Sequence, residues 1–162
     1  MSITITPMTT EADMLGKAYV HWKSWQETYT GLIDQNYLDN VMTLAKCESI
    51  ARRYLQNLWV AKDGERVVGF VGCGADREGG DNGEIYSIYV LREYQGQGVG
   101  RALMETALAQ LRDCRHIILW VLRGNERAIR FYERAGFALD GEEKQVVIGT
   151  PNVELRMSKF AE

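Results

Sequence analysis

One α/β domain built on a mixed sheet is the fold this sequence predicts, and three observations predict it. Apolar runs of strand length alternate with stretches of helical periodicity along the whole chain. Two of the runs are joined by Asp63-Gly64, a pair that turns a hairpin because the turn needs positive φ. No linker, repeat or low-complexity tract interrupts the 162 residues, a length that favours a single domain spanning 1–162.

Taken in order, Ile3-Thr4-Ile5-Thr6 alternates at period two and Pro7 ends it, so a short strand opens the chain. Thr10 caps a helix, with Asp13 in place of the usual Glu, and the pattern runs through Tyr19, Trp22, Trp25 and Tyr29 to Gly31. Residues 32–42 read as irregular or as one short helical turn, and Thr43 starts a second helix to about Leu55. Strands follow at Leu58 to Lys62, Arg66 to Cys73 and, past the Gly-rich acidic loop 74–83, Glu84 to Val90. A helix from Val99 buries a stripe at Leu103, Ala107 and Leu111. The run Ile117 to Leu122 is apolar throughout, as a strand buried on both faces is. Asn125 caps a helix that Gly136 closes, and two or three strands fill the tail around 137–140, 145–148 and 153–159. The order is β-α-α-β-β-β-α-β-α-β-β.

Composition excludes several function classes. Hydrophobic residues are 46% and charged residues 25%, which is ordinary for a globular protein. Nineteen Lys and Arg against 22 Asp and Glu give a net charge of −3, without the concentrated basic face that nucleic acid needs. The longest apolar run has six residues where a spanning helix needs about 20, so no membrane partner is expected. The start lacks the pattern of a secretory signal or a myristoylation site. Three scattered cysteines form neither a disulfide framework nor a zinc site, and His21 and His116 have no partner at ligand spacing. A cytoplasmic protein without a metal is the expectation.

The most informative stretch is Gln95-Gly96-Gln97-Gly98-Val99-Gly100-Arg101, between a strand and a helix. Alternating glycines free the backbone to turn several N–H groups into one concavity, which at a helix N-terminus binds phosphate. A dinucleotide fingerprint would place glycine where Arg101 stands, and a P-loop would place Lys-Ser/Thr where Arg101-Ala102 stands. The stretch instead resembles the Arg/Gln-x-x-Gly-x-Gly/Ala motif of the GNAT superfamily of N-acetyltransferases. Asn125-Glu126-Arg127-Ala128-Ile129-Arg130-Phe131-Tyr132-Glu133-Arg134-Ala135-Gly136-Phe137 is similar to that family's second signature, Asn-x-x-Ala-x-x-Phe-Tyr-x-x-x-Gly-Phe. The resemblance covers nearly the whole chain and implies a mostly antiparallel, twisted sheet flanked by helices.

What the resemblance implies for chemistry can be set against the residues. Acetyl transfer from acetyl-CoA to an amine needs a neutral amine, a stabilised oxyanion and a proton for the leaving thiolate. In the family the loop amides hold the pyrophosphate, which assigns Gln95, Gly96, Gln97, Gly98, Val99, Gly100 and Arg101 to the cofactor. Ile88, Tyr89 and Val90 would supply backbone contacts to pantetheine, with a backbone N–H near Val90 for the oxyanion. Asn125, Ala128 and Tyr132 share a helix face at spacings of three and four, and the family turns this face to the pantetheine arm. Tyr132 would then be the general acid, the alternative being that it packs on Phe131.

Alternation places Glu84, Tyr86, Ile88 and Val90 on one face of their strand and Ile85, Ser87 and Tyr89 on the other. A carboxylate at Glu84 resembles the residue that many family members use, directly or through water, to take the amine's proton; the alternative is a solvated strand-end acid. Trp25, Tyr29, Glu84 and Tyr86 are the expected acceptor contacts, core packing being the competing reading for Trp22 and Trp25. Aromatic faces and carboxylates suit a cation, so a small cationic amine or a peptide N-terminus is the expected acceptor. No nucleophile–base pair stands out, which favours direct transfer. A non-catalytic acyl-CoA-binding module is the alternative from another class; it would need neither Tyr132 nor Glu84. Relatives are often dimers, and a tail strand at 153–157 is a candidate to pair across such an interface.

Overall fold

The computed structural model describes residues 2–161. Seven strands form one sheet in the order β1-β2-β3-β4-β5-β7-β6. They are β1 (Ile3–Pro7), β2 (Leu58–Asp63), β3 (Arg66–Ala75), β4 (Gly83–Val90), β5 (His116–Leu122), β6 (Ala138–Ile148) and β7 (Thr150–Phe160). All neighbours run antiparallel except β4 and β5. The helices are α1 (Glu11–Tyr29), α2 (Gln35–Asn40), α3 (Leu44–Arg53), α4 (Val99–Gln110) and α5 (Glu126–Arg134). Residues 32–42 thus hold a short helix, capped by Asp34, whose side chain accepts from the Tyr37 N–H.

Adjacent strand residues point to opposite faces, and this sorts the helices. Phe70 of β3 meets His21 of α1, whereas a Cβ on Gly69 would meet Leu103 of α4 and Val90. So α1 covers one face of the central strands and α4 the other. Buried residues of both faces, among them Val20, Phe70, Leu103 and Met157, form one continuous core. No helix among the described residues is long and apolar enough to cross a membrane.

The structure decides one open expectation, the number of tail strands, in favour of two, and corrects two others. The runs at 137–140 and 145–148 are one strand, β6, whose register slips between Leu139 and Glu143, next to Gly141 at φ +90°. The tail strand expected to pair across a dimer is β7, which is already flanked by β5 and β6 and has no free edge. In β4, Ser87 pairs with Gly72 and Ile85 with Cys73, so Tyr86 is an extra residue, a β-bulge. The bulge resets the alternation. Tyr89 packs on Phe70 and His21 on the α1 face, while Val90 lies with Gly69 on the α4 face. Ser87 and Tyr89 therefore join Glu84 and Tyr86, and Ile88 and Val90 do not.

The start of α1 is tied down by the expected capping box. Thr10 accepts from the Asp13 N–H, and Asp13 accepts from Thr9 and Thr10 N–H groups and pairs with Lys62 of β2 at 2.6 Å. Burial alone would raise the Asp13 carboxyl, but the Lys62 ammonium and the two backbone donors hold it at about 2. A folded-state value below the ordinary 3.8 means that this stabilisation is complete above 3.8 and is lost as pH falls through about 2. Asp13→Asn is expected to cost about 2 kcal/mol at pH 7. Thermal melts of the two proteins should converge as pH approaches 2, and a constant gap would contradict this linkage.

Candidate active site

The site is built where the two parallel strands part. β4 and β5 pair at only three positions, Gly83 with Ile117, Glu84 with Ile118 and Ile85 with Leu119. Past the Tyr86 bulge β4 stays with β3, while β5 stays with β7 as far as Leu122 opposite Glu154. The Leu91 N–H bonds the Val68 carbonyl, so by the alternation of an antiparallel ladder residues 87, 89 and 91 face β3 and residues 88 and 90 face the gap. The Val90 carbonyl is taken there by the Gln95 side-chain amide at 3.1 Å. The backbone edge at Ile88 and the Val90 N–H is left open, and a cavity of about 380 Å³ runs along it.

One end of that cavity is the glycine loop. Gly96 and Gly98 adopt φ +76° and +84°, and Gly98 is the left-handed N-cap of α4 with no side-chain cap bond. The first α4 hydrogen bond runs from Ala102 N–H to the Gly98 carbonyl, which leaves the amides of Val99, Gly100 and Arg101 without helical partners. Free amides at the positive end of a helix suit a diphosphate, and Arg101, Arg127 and Arg134 also line this cavity. Gln97 and Val99 do not line the cavity: the Gln97 side chain turns back to the Glu93 carbonyl and Val99 is buried in the core. A side chain at Gly98 is strained by about 1–2 kcal/mol. Gly98→Ala is therefore expected to lower both Tm and, about tenfold, the affinity for acetyl-CoA in calorimetry; unchanged affinity would remove the loop from binding.

Helix α5 forms the opposite wall. Asn125 caps it, its side-chain oxygen accepting from the Ala128 N–H at 3.3 Å. Asn125, Ala128 and Tyr132 all line the gap. Tyr132 also packs on Phe131 and Phe137, with ring centroids 5.5 and 6.3 Å away. Burial, then the neighbouring Tyr89, pushes its phenol well above the ordinary value, so it stays protonated. The hydroxyls of Tyr29 and Tyr89 lie 2.9 Å apart, and burial raises both phenols as well.

A second cavity, of about 1000 Å³, opens on the α1 face. Trp25, Tyr29 and Tyr86, named above as acceptor contacts, line it. Glu84 does not. It is 1% exposed and lines neither cavity; one oxygen accepts from the Arg77 N–H at 2.9 Å, and the other from the Arg77 guanidinium at 3.1 and 2.7 Å. Neither a base facing a cavity nor the alternative solvated strand-end acid, Glu84 is a buried anchor that holds Arg77, whose guanidinium lies over the Tyr86 ring. The carboxylate that does line this cavity is Glu154 of β7, 3.9 Å from Lys144, and burial raises it above the usual carboxylate range. Its charge acts on both Tyr29 and Tyr89. Glu154 and the basic residues Lys17, Arg53, Arg77 and Lys144 went unread in the sequence. Only the pairing of β7 beside β5 and the placing of α1 over β3 bring them together. Tyr29, Tyr86, Ser87, Tyr89 and Trp120 line both cavities.

Comparison with known proteins agrees with this geometry. The sequence profile of the acetyltransferase (GNAT) family matches residues 19–137. YuaI, an uncharacterized N-acetyltransferase of Bacillus subtilis, is 35% identical over 127 residues, which cover 75% of this chain and 72% of that protein. The spermine/spermidine N(1)-acetyltransferase of the same organism is 29% identical over 120 residues, 68% of this chain and 78% of its own. The crystal structure of PaiA N-acetyltransferase from Thermoplasma acidophilum in complex with coenzyme A shares the fold, with TM-score 0.76 at 21% identity over 99% of both chains. A strand gap ending at free helix amides is what an acyl thioester on a diphosphate-bearing arm requires, and with the profile match it shows that the chain belongs to the GNAT family of acetyl-CoA-dependent N-acetyltransferases.

Proposed function

We propose that the acetyl group passes directly from acetyl-CoA in the β4–β5 gap to a primary amine held in the larger cavity. The observation that carries this is the shared wall: five residues, Tyr29, Tyr86, Ser87, Tyr89 and Trp120, line both cavities, so donor and acceptor meet across one strand. No cysteine among the described residues is on that wall to serve as a covalent relay. Cys47 and Cys73 line neither cavity, and burial pushes both thiols up to about 11.

Acetyl-CoA supplies an activated thioester, and the chain's own groups meet the three demands of transfer. Tyr132, kept protonated by its burial, donates to the leaving thiolate. The Val90 N–H, which faces the gap, donates to the oxyanion. Glu154 takes over the part expected of Glu84: it seats the acceptor's ammonium and accepts its proton. Its raised value brings it nearer to neutral pH, where a general base works best.

A polycation fits these walls poorly, since among the described residues Glu154 is the only carboxylate lining a cavity that also holds Lys17, Arg53, Arg77 and Lys144. The acceptor is thus a monoamine or a peptide N-terminus, unlike the polyamines named for the B. subtilis relative. Thiol release from acetyl-CoA across spermidine, simple monoamines, amino acids and peptide N-termini tests this. Release with monoamines or peptides above spermidine is expected. Silence across the panel, in protein that binds acetyl-CoA, would contradict it.

A further inference from the structure

The larger cavity is electrically lopsided. At its β6–β7 end, Lys144 lies near Glu154 and pairs with Glu78, and Arg77 is neutralised by Glu84, so the basic residues there have acidic partners. At the α1–α3 end stand Lys17 and Arg53, and no ion pair among the described residues includes either.

Lys17 is the unusual one. The residue is 4% exposed, and its ammonium lies 4.9 Å from the centroid of the Phe70 ring. Its other titratable neighbours bring no negative charge: the Cys47 thiol is pushed up to about 11 and the His21 imidazole down to about 3, in both cases first by burial, so both are neutral across the working range. The buried His21 Nδ1 has no hydrogen-bond partner either. Burial lowers the Lys17 pKa, because a buried cation without a counter-charge is costly, and an apolar residue of the same length would be tolerated better. Here the cation and the unpaired imidazole face the same cavity. Phe70 touches Tyr89, 5.7 Å between centroids, so no more than two ring contacts separate the ammonium from the wall shared with the gap.

We propose that the acceptor carries a carboxylate or another small oxyanion besides its amine, and that Lys17, assisted by Arg53 in the last turn of α3, binds this anion at the α1–α3 end while Glu154 holds the amine at the other. This rests on the transfer reading above and narrows its acceptor to dipolar molecules, amines with an anionic group at a short distance along the chain. Charge-assisted hydrogen bonds to Lys17 would supply the missing counter-charge on binding.

Binding separates this proposal from turnover. Trp25 and Trp120 line the cavity, so their fluorescence can follow ligands added to protein saturated with coenzyme A. The ligands are ω-amino carboxylates of increasing length, with n-alkylamines and diamines of the same length as controls. Some ω-amino carboxylate is expected to bind at least tenfold more tightly than its alkylamine counterpart. Lys17→Met should abolish that preference without weakening coenzyme A binding, and Arg53→Ala should reduce it. Lys17→Arg, which keeps the charge, should retain it. Equal binding of carboxylate and plain amine, tighter diamines, no carboxylate binding at all, or a preference that survives Lys17→Met would each overturn the proposal. Because the readout is equilibrium binding, an absence of acetyl transfer counts against the transfer reading, and an absence of anion preference against this one.

Discussion

Replacing Tyr132 by Phe is expected to lower kcat about a hundredfold and leave the dissociation constant of acetyl-CoA within about twofold. The substitution removes only the hydroxyl, and the ring keeps its contacts with Phe131 and Phe137. The fold and the wall of the gap therefore persist, and what is lost is the proton for the departing thiolate. Burial raises the phenol's pKa, and the same dry surroundings would raise that of a thiolate forming beside it, so the proposed proton transfer accompanies bond cleavage. Steady-state kinetics and calorimetry on one preparation check both halves. A kcat that is unchanged removes Tyr132 from the chemistry. A lost affinity with kcat intact makes it a packing residue.

Glu154→Gln should reduce kcat/KM about a hundredfold and also change the shape of its pH profile. Glu154 must be ionised to seat an ammonium and take its proton. Burial raises its pKa, so in the native protein kcat/KM climbs with pH along a limb centred above the ordinary carboxylate range. Gln cannot titrate, and that limb should vanish, leaving only the acceptor's own deprotonation. Glu84→Gln provides the contrast. Its carboxylate accepts three hydrogen bonds from Arg77, so its loss should loosen Arg77 and lower Tm while the acidic limb survives. If the limb disappears in Glu84→Gln and persists in Glu154→Gln, the two roles assigned here are reversed.

The contrast between these two acids shows where sequence reading runs out. Features set by neighbours in the chain were legible: the Thr10–Asp13 capping box, the Asn125 cap and the positive φ of Gly96 and Gly98 all depend on a few adjacent residues. The helix face of Asn125, Ala128 and Tyr132 was legible as well, because spacing alone fixes it. The Tyr86 bulge was not, since one extra residue against β3 is a property of two strands together. Missing it assigned Ser87 and Tyr89 to the wrong face, and the burial of Glu84 under Arg77 depends on a loop whose course the sequence does not show. The same limit hid Glu154: its place in the cavity follows from β7 lying between β5 and β6, a pairing of segments distant in sequence. Lys17 carried no signal in the sequence, and only the packing of α1 over Phe70 makes it a buried basic residue.

The central claim is direct transfer across the wall that the two cavities share, and initial rates with acetyl-CoA and an accepted amine both varied test it most directly. Direct transfer needs both substrates bound together, so the double-reciprocal lines should intersect, the acetylated amine should match the thiol released, and protein incubated with acetyl-CoA alone should carry no acetyl group. Parallel lines with an acetylated protein would contradict the account. Binding of acetyl-CoA with no acetylated amine formed at all would point instead to a non-catalytic acyl-CoA-binding module.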